Sequence, residues 1–168
     1  MPPRIRLERI GSDKPIVDTA KLLRGLERAV DDTTAIVESN FKATTKTWRH
    51  KVRFKRRKAA RRGNVIEGDV TTDDEIYGYV TGGTRRHLIP KRPLPQGRSL
   101  RFRGGKYGAK TRPRVLGSHK GGAGGAFVFR KQVMHPGTKA REFEQEIALR
   151  RQRNLHNFVI RAYAEARK

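Results

Sequence analysis

Five histidines, His50, His87, His119, His135 and His156, are scattered along the chain, with no pair at i, i+4 and no Glu between two of them. That pattern does not build a helical zinc site. The carboxylates Asp73, Asp74 and Glu75 are adjacent, but they lack the spaced oxygens of a calcium loop. As an acidic turn on a basic chain they read instead as a salt-bridging contact for another subunit. Ser39, Ser99 and Ser118 sit in no strand–turn–helix elbow of the nucleophile type. The glycine pairs near Lys106 and Lys120 lack the Gly-Lys-Ser/Thr ending that positions a nucleotide and its magnesium, since Lys110-Thr111 follows an alanine. There is no cysteine, which excludes disulfides and cysteine-built zinc sites. No constellation for acid–base or covalent catalysis emerges, and the expectation is a protein that is not an enzyme and needs no cofactor or metal.

The chemistry that does stand out is anion binding. The chain carries 40 Lys and Arg against 16 Asp and Glu, a formal charge of +24 over 168 residues. Such a balance implies a polyanion or a strongly acidic partner. Two stretches concentrate it. Lys55, Arg56, Arg57, Lys58, Arg61 and Arg62 form one block, and no acidic residue lies between Glu38 and Glu67. Without local partners these charges are expected to seek an external anion. Arg98, Arg101, Arg103, Lys106, Lys110, Arg112, Arg114 and Lys120 form the second, inside a span from Ile76 to Arg141 that has no Asp or Glu and about two-fifths of all Lys and Arg.

The elements that must position these residues follow from periodicity. Residues 1–17 read as a polar lead-in in which Ile5 and Leu7 could add a short edge strand, and 18–168 as one α+β domain. Asp18 looks like an N-cap, and Leu22, Leu26, Val30, Thr33, Val37, Phe41 and Thr44 follow at steps of three and four, which predicts a helix to about Thr45. At 1.5 Å per residue it spans about 40 Å. Its apolar face either packs on the core alone or also meets a neighbouring subunit. Trp48, His50, Val52 and Phe54 alternate with Arg49, Lys51 and Arg53 and predict a strand; Val65 to Thr72 and Ile76 to Val80 predict two more, joined by the acidic turn as a hairpin. Leu88–Pro90 and Leu100–Phe102 are strand-like. A basic, glycine-rich insertion at about 98–125 is expected to be a flexible loop, because it lacks the apolar residues for a core of its own.

Phe127–Phe129, Val133 and Met134 then predict a strand that breaks at His135-Pro136-Gly137-Thr138. Thr138 is a candidate cap for the helix marked by Phe143, Ile147, Leu155, Phe158 and Ala162. The apolar runs are too short to cross a membrane, no apolar signal core follows the basic N-terminus, and an intracellular protein is expected.

Several of these residues occur in an order that resembles a known family. A long helix is followed by Thr47-Trp48-Arg49-His50-Lys51, then by Thr72 to Tyr77 leading to Gly83-Thr84 and His87, then by Leu100-Arg101-Phe102, and finally by His135-Pro136-Gly137-Thr138-Lys139-Ala140-Arg141 with Phe143. From about Leu22 onward the chain looks like the gene-product-ten-like family of phage tail components. The resemblance implies an α+β fold with a long N-terminal helix, a small, mainly antiparallel sheet of about four strands and a long C-terminal helix. It also implies a closed ring, commonly a hexamer, in the virion neck. Portal-side and tail-side ring proteins would be its neighbours and duplex DNA would pass through its lumen, bound without sequence preference. Tyr77, Gly83, Thr84, His87, His135, Pro136, Gly137, Thr138 and Phe143 would be structural motif residues. The glycine- and arginine-rich insertion is longer and more basic than that family's pattern. The competing class is a ribosomal or other RNA-binding protein, with Phe102 and Tyr107 stacking bases between phosphate-binding cations.

Overall fold

Helix α1, Thr19–Thr44, organises the protein, and the computed structural model describes it within residues 16–167. The expected edge strand at Ile5 and Leu7 lies outside the described residues. Asp18 accepts a hydrogen bond from Lys21 N (3.0 Å) and so caps the first turn, as its position suggests. Several threonines lie in the buried stripe. Thr33, Thr34 and Thr44 donate to Ala29 O, Asp31 O and Phe41 O at 2.7, 2.9 and 2.7 Å, so burial leaves no hydroxyl unpaired there.

The last element, Phe143–Ala166, runs antiparallel to α1 along its length. It is the third helix, α3. Asp18 N donates to Ala166 O (2.9 Å) at one end, Gly25 lies against Ala162 further along, and Arg151 donates to Asn40 Oδ1 (3.0 Å) near the other end. Phe41, Tyr77, Phe143 and Ile147 form the buried core, with Val37, Trp48, Val52, Phe54, Val70, Val80 and Leu116 packed round it. Tyr77 sits at its centre, 5.1 Å from the Phe54 ring centroid edge-on and 5.8 Å from Phe143 in a stack.

Three segments differ from the sequence expectations. Trp48–Phe54 joins no ladder and bends at Arg49-His50, and the strand begins where that stretch ends, as β1, Lys55–Arg62. The alternation reflects burial of Trp48, Val52 and Phe54 and not ladder formation, and His50 is exposed. Strand β1 pairs antiparallel with β2, Val65–Thr71, so the hairpin turns at Gly63-Asn64 and not at the acidic residues. Ile76–Val80 is helical, within α2, Glu75–Gly82. Asp74 accepts from Tyr77 N (2.8 Å) and caps it, and the helical period turns Tyr77 and Thr81 into the core together.

The remaining strands are short and antiparallel. β3, His87–Ile89, pairs with the last strand, β8, Val133–His135; β4, Leu100–Arg103, pairs with β7, Phe127–Arg130; β5, Tyr107–Gly108, pairs with β6, Gly122–Ala123. The fold is α+β, and among the described residues the first and last helices are long and the β-structure is divided among four two-stranded ladders.

The insertion at 98–125 is accordingly a ribbon, not an open loop. Gly104 N donates to Ala126 O (2.9 Å) and Gly105 N to Gly124 O (2.8 Å), which carries the β4–β7 ladder on toward β5–β6. A Cβ at Gly105 would lie 2.4 Å from Gly124 O, so the two backbones approach as only glycine permits. The ribbon's closed end returns to the helices. Thr47 N donates to Ser118 Oγ (3.1 Å), Thr47 Oγ1 to His119 O (3.0 Å) and Lys110 Nζ to Thr47 O (3.2 Å), while Thr111 is buried.

Candidate nucleic-acid interface

The first basic block is split by the pleat of β1. Arg56 is half-buried, pairs with Asp31 (2.9 Å) and Glu38 (3.5 Å) of α1, and fastens the hairpin to the helix. Ala59 N also donates to Asp31 Oδ1 (3.2 Å); this bond, with the Arg56 guanidinium, holds the Asp31 carboxyl below the usual carboxylate range. Arg57 reaches across the ladder to Asp69 (3.0 Å), and Lys55 meets Asp73 (2.5 Å). Three of the six cations therefore have internal partners, contrary to the expectation of an unpaired block. Lys58, Arg61 and Arg62 make no ion pair among the described residues, although the Lys58 charge also helps to lower Asp31.

The acidic turn also has internal partners, through Asp73 and Asp74. Asp74 binds the His50 imidazole as well as Tyr77 N, and these contacts, the histidine's first, hold its carboxyl below the ordinary value. No group of three or more His, Cys, Asp or Glu among the described residues is arranged to hold a metal ion.

The second group keeps its charges free. Arg98, Arg101, Arg103, Lys106, Lys110, Arg112, Arg114 and Lys120 make no ion pair among the described residues, although Lys110 is tied to Thr47 O. On the β4–β7 ladder Arg101 stands opposite Phe129 and Arg103 opposite Phe127, so two arginines and two exposed phenylalanines share one face. The Arg101 and Arg103 guanidinium carbons lie 3.9 and 4.9 Å from the Phe127 ring centroid. Such a face offers charge to phosphates and an aromatic surface for stacking. Phe127 and Phe129 read as apolar strand residues in the sequence; only the register with β4 places them beside arginines.

The motif residues are structural and converge from distant parts of the chain. Thr84 N donates to Thr138 O (2.9 Å) and Thr138 N to Thr84 O (3.0 Å), joining Gly83-Thr84 to the His135–Thr138 turn. Gly83 and Gly137 have φ of 76° and 92°, and a Cβ on either would run into the opposite backbone, 2.7 Å from Thr138 O and 2.4 Å from Thr84 O. The rings of His87 and His135 face each other across the β3–β8 ladder, and Pro136 follows in the turn. Thr138 is thus spent on this clasp and does not cap α3, whose N-cap is Glu142 at φ 53° without a side-chain bond. Thr81 Oγ1 accepts from Phe143 N (3.2 Å) instead. Tyr77 and Phe143 are core residues.

Beside the clasp lies an open groove of about 710 Å³, floored by apolar side chains that include Ile89, Leu100, Phe102, Val133 and Met134. Arg101, Arg103, Lys139 and Arg141 stand round it. No signal in the sequence marks this groove, because it arises between two ladders.

No protein-family model matches the chain, and no curated protein or solved structure shows significant similarity to it.

Proposed function

We propose that this chain is a structural virion protein of a phage head–tail connector, a closed, six-fold ring that completes the tail end, joins it to the head and surrounds the DNA channel. The carrying observation is the surface. Among the described residues only four large apolar side chains are buried, Phe41, Tyr77, Phe143 and Ile147, whereas fifteen large hydrophobic ones are exposed. That imbalance suits a subunit completed by neighbours. Leu149, Ile160 and Tyr163 recur along one outer side of α3 and are exposed, as a helix packed on another subunit would require. The unpaired cations of the ribbon and of the β1–β2 hairpin tip suit a lumen that holds duplex DNA of any sequence, since phosphate neutralisation does not depend on base identity. The neck setting itself rests on the motif resemblance.

The test is the mass of the purified protein by native mass spectrometry or light scattering, at high and low salt, with and without duplex DNA. A discrete closed oligomer is expected. Replacing Lys58, Arg61 and Arg62 by Gln should leave that mass unchanged and reduce the salt dependence of DNA binding by about one unit of slope for each phosphate no longer neutralised. Arg56 and Arg57 are unsuitable for this test because their loss breaks internal pairs. A persistent monomer that prefers RNA to duplex DNA at physiological salt would overturn the reading in favour of a ribosomal-type protein.

A further inference from the structure

The groove has a geometry that side-chain lining alone does not explain. Leu100, Arg101, Phe102 and Arg103 of β4 all border it, and so do Val133, Met134 and His135 of β8. Successive side chains of a strand point to opposite faces. A groove touched by three or four consecutive residues therefore runs along the strand's edge, not over one of its faces. Each of the two strands has one edge already taken, β4 by β7 and β8 by β3, and among the described residues neither has a strand on the other. The groove thus lies against the open edge of β4, and at β8 it reaches from the ladder, where Ile89 is the cross-strand partner of Val133, to the open edge. It is bordered by main-chain groups that a further strand could satisfy.

The lining specifies what that strand would carry. Its floor is apolar, with Phe102 and Met134 partly exposed into it. Its rim cations, Arg101, Arg103, Lys139 and Arg141, have no carboxylate partner among the described residues, and no Asp or Glu occurs from Ile76 to Arg141. An extended segment sends alternate side chains to opposite sides, so one set can enter the floor while the other meets the rim. The volume lies within the usual range of ligand sites, about 300–1,000 Å³. Four residues alongside β4 would cover about 13 Å at 3.3 Å each.

We propose that the groove between the open edges of β4 and β8 receives an extended segment of a partner protein that alternates apolar and acidic side chains and adds as a strand. Main-chain hydrogen bonds provide affinity, the floor selects apolar side chains, and the four cations select carboxylates. Nucleic acid fits the same groove less well, because its apolar floor offers nothing to a phosphate backbone. The inference shares Arg101 and Arg103 with the DNA reading, and the apolar and main-chain contacts tested below distinguish the two.

Fluorescence anisotropy of the full chain with a fluorescein-labelled octapeptide of alternating valine and glutamate is the test. Binding is expected. A valine–lysine octapeptide should not bind, a glycine–glutamate octapeptide should bind at least tenfold more weakly, and methylation of alternate amide nitrogens in the valine–glutamate peptide should weaken it at least tenfold. Met134→Glu should weaken binding similarly, with circular dichroism confirming the fold; the methylated peptide needs no variant. The proposal is overturned if the glycine–glutamate or methylated peptide binds within threefold of the parent, since charge alone would then account for binding. It is equally overturned if a single-stranded oligonucleotide binds more tightly than the peptide and loses affinity by the same factor in Met134→Glu, which would make nucleic acid the occupant.

Discussion

Replacing Gly25 by Ala sets two effects of known sign against each other. Gly25 is inside α1, where alanine is intrinsically favoured over glycine by about 1 kcal/mol. Judged by α1 alone, the variant should be more stable. However, a Cβ at that position would stand 2.8 Å from Ala162 Cβ and 3.4 Å from its Cα. Ala162 is buried on α3 and has no flexible end to move aside, so the helices must separate, at about 1–3 kcal/mol for overpacking. The clash should win by about 1 kcal/mol, lowering the melting temperature by about 2–4 °C for a chain of this size. The reciprocal change, Ala162→Gly, loses a buried methyl worth about 0.8 kcal/mol and adds a helical glycine at about 1 kcal/mol. The double variant moves the methyl from one helix to the other and removes the clash. It should therefore be more stable than the sum of the single changes predicts, by about 1 kcal/mol or more. Guanidinium unfolding followed by circular dichroism measures all four proteins. If Gly25→Ala alone stabilises, or if the cycle is additive within about 0.5 kcal/mol, α1 and α3 do not meet at this point.

Two further predictions concern the core and the acid range. Burial pushes the Tyr77 phenol above its ordinary pKa, and its hydroxyl makes no hydrogen bond although Thr44 and Glu144 are near. Tyr77→Phe should consequently be neutral or stabilising in a thermal melt, while Tyr77→Ala should cost about 3–5 kcal/mol; a destabilisation above about 1.5 kcal/mol in the phenylalanine variant would mean that the hydroxyl has a partner. Asp31 and Asp74 are held below the carboxylate range in the folded state, so the unfolded chain takes up protons first as pH falls. Their contribution is complete above the unfolded value of about 3.9 and is lost as pH drops through their folded values. The unfolding midpoint should accordingly fall from pH 5 toward pH 2. An Asp31→Asn/Asp74→Asn protein should be less stable at neutral pH and show a flatter profile in that range; an unchanged slope would remove these two groups from the account.

The two long helices were legible because a period of three and four sustained over six or seven turns has few competing explanations. Ile76–Val80 was not, since five apolar-rich residues fit a strand or a helical turn equally well, and the decision fell to one capping bond from Asp74. The basic block shows a different limit. Counting charges along the chain found no anion near Arg56 and Arg57, yet Asp31 arrives from 25 residues upstream and Asp69 from across the hairpin. Local neutrality is a tertiary property. The motif glycines Gly83 and Gly137 could be singled out from sequence, but that they interlock could not, because it requires residues 54 apart in the chain to meet. The groove is further still from sequence, as it exists only once two separate ladders are set beside each other.

The antiparallel pairing of α1 with α3 also has a consequence for synthesis. Helix α1 has α3 as its main partner, and residues 45–142 are synthesised between them. At about 5–20 residues per second, that interval takes about 5–20 s. During it the β1–β2 hairpin and α2 can cover part of the apolar stripe of α1, but the positions that meet Ala162 and Ala166 wait for the final turns. A nascent chain of this design therefore presents a sticky, half-shielded helix for many times longer than a helix takes to form, and two such chains on neighbouring ribosomes could pair their α1 helices before either has its α3.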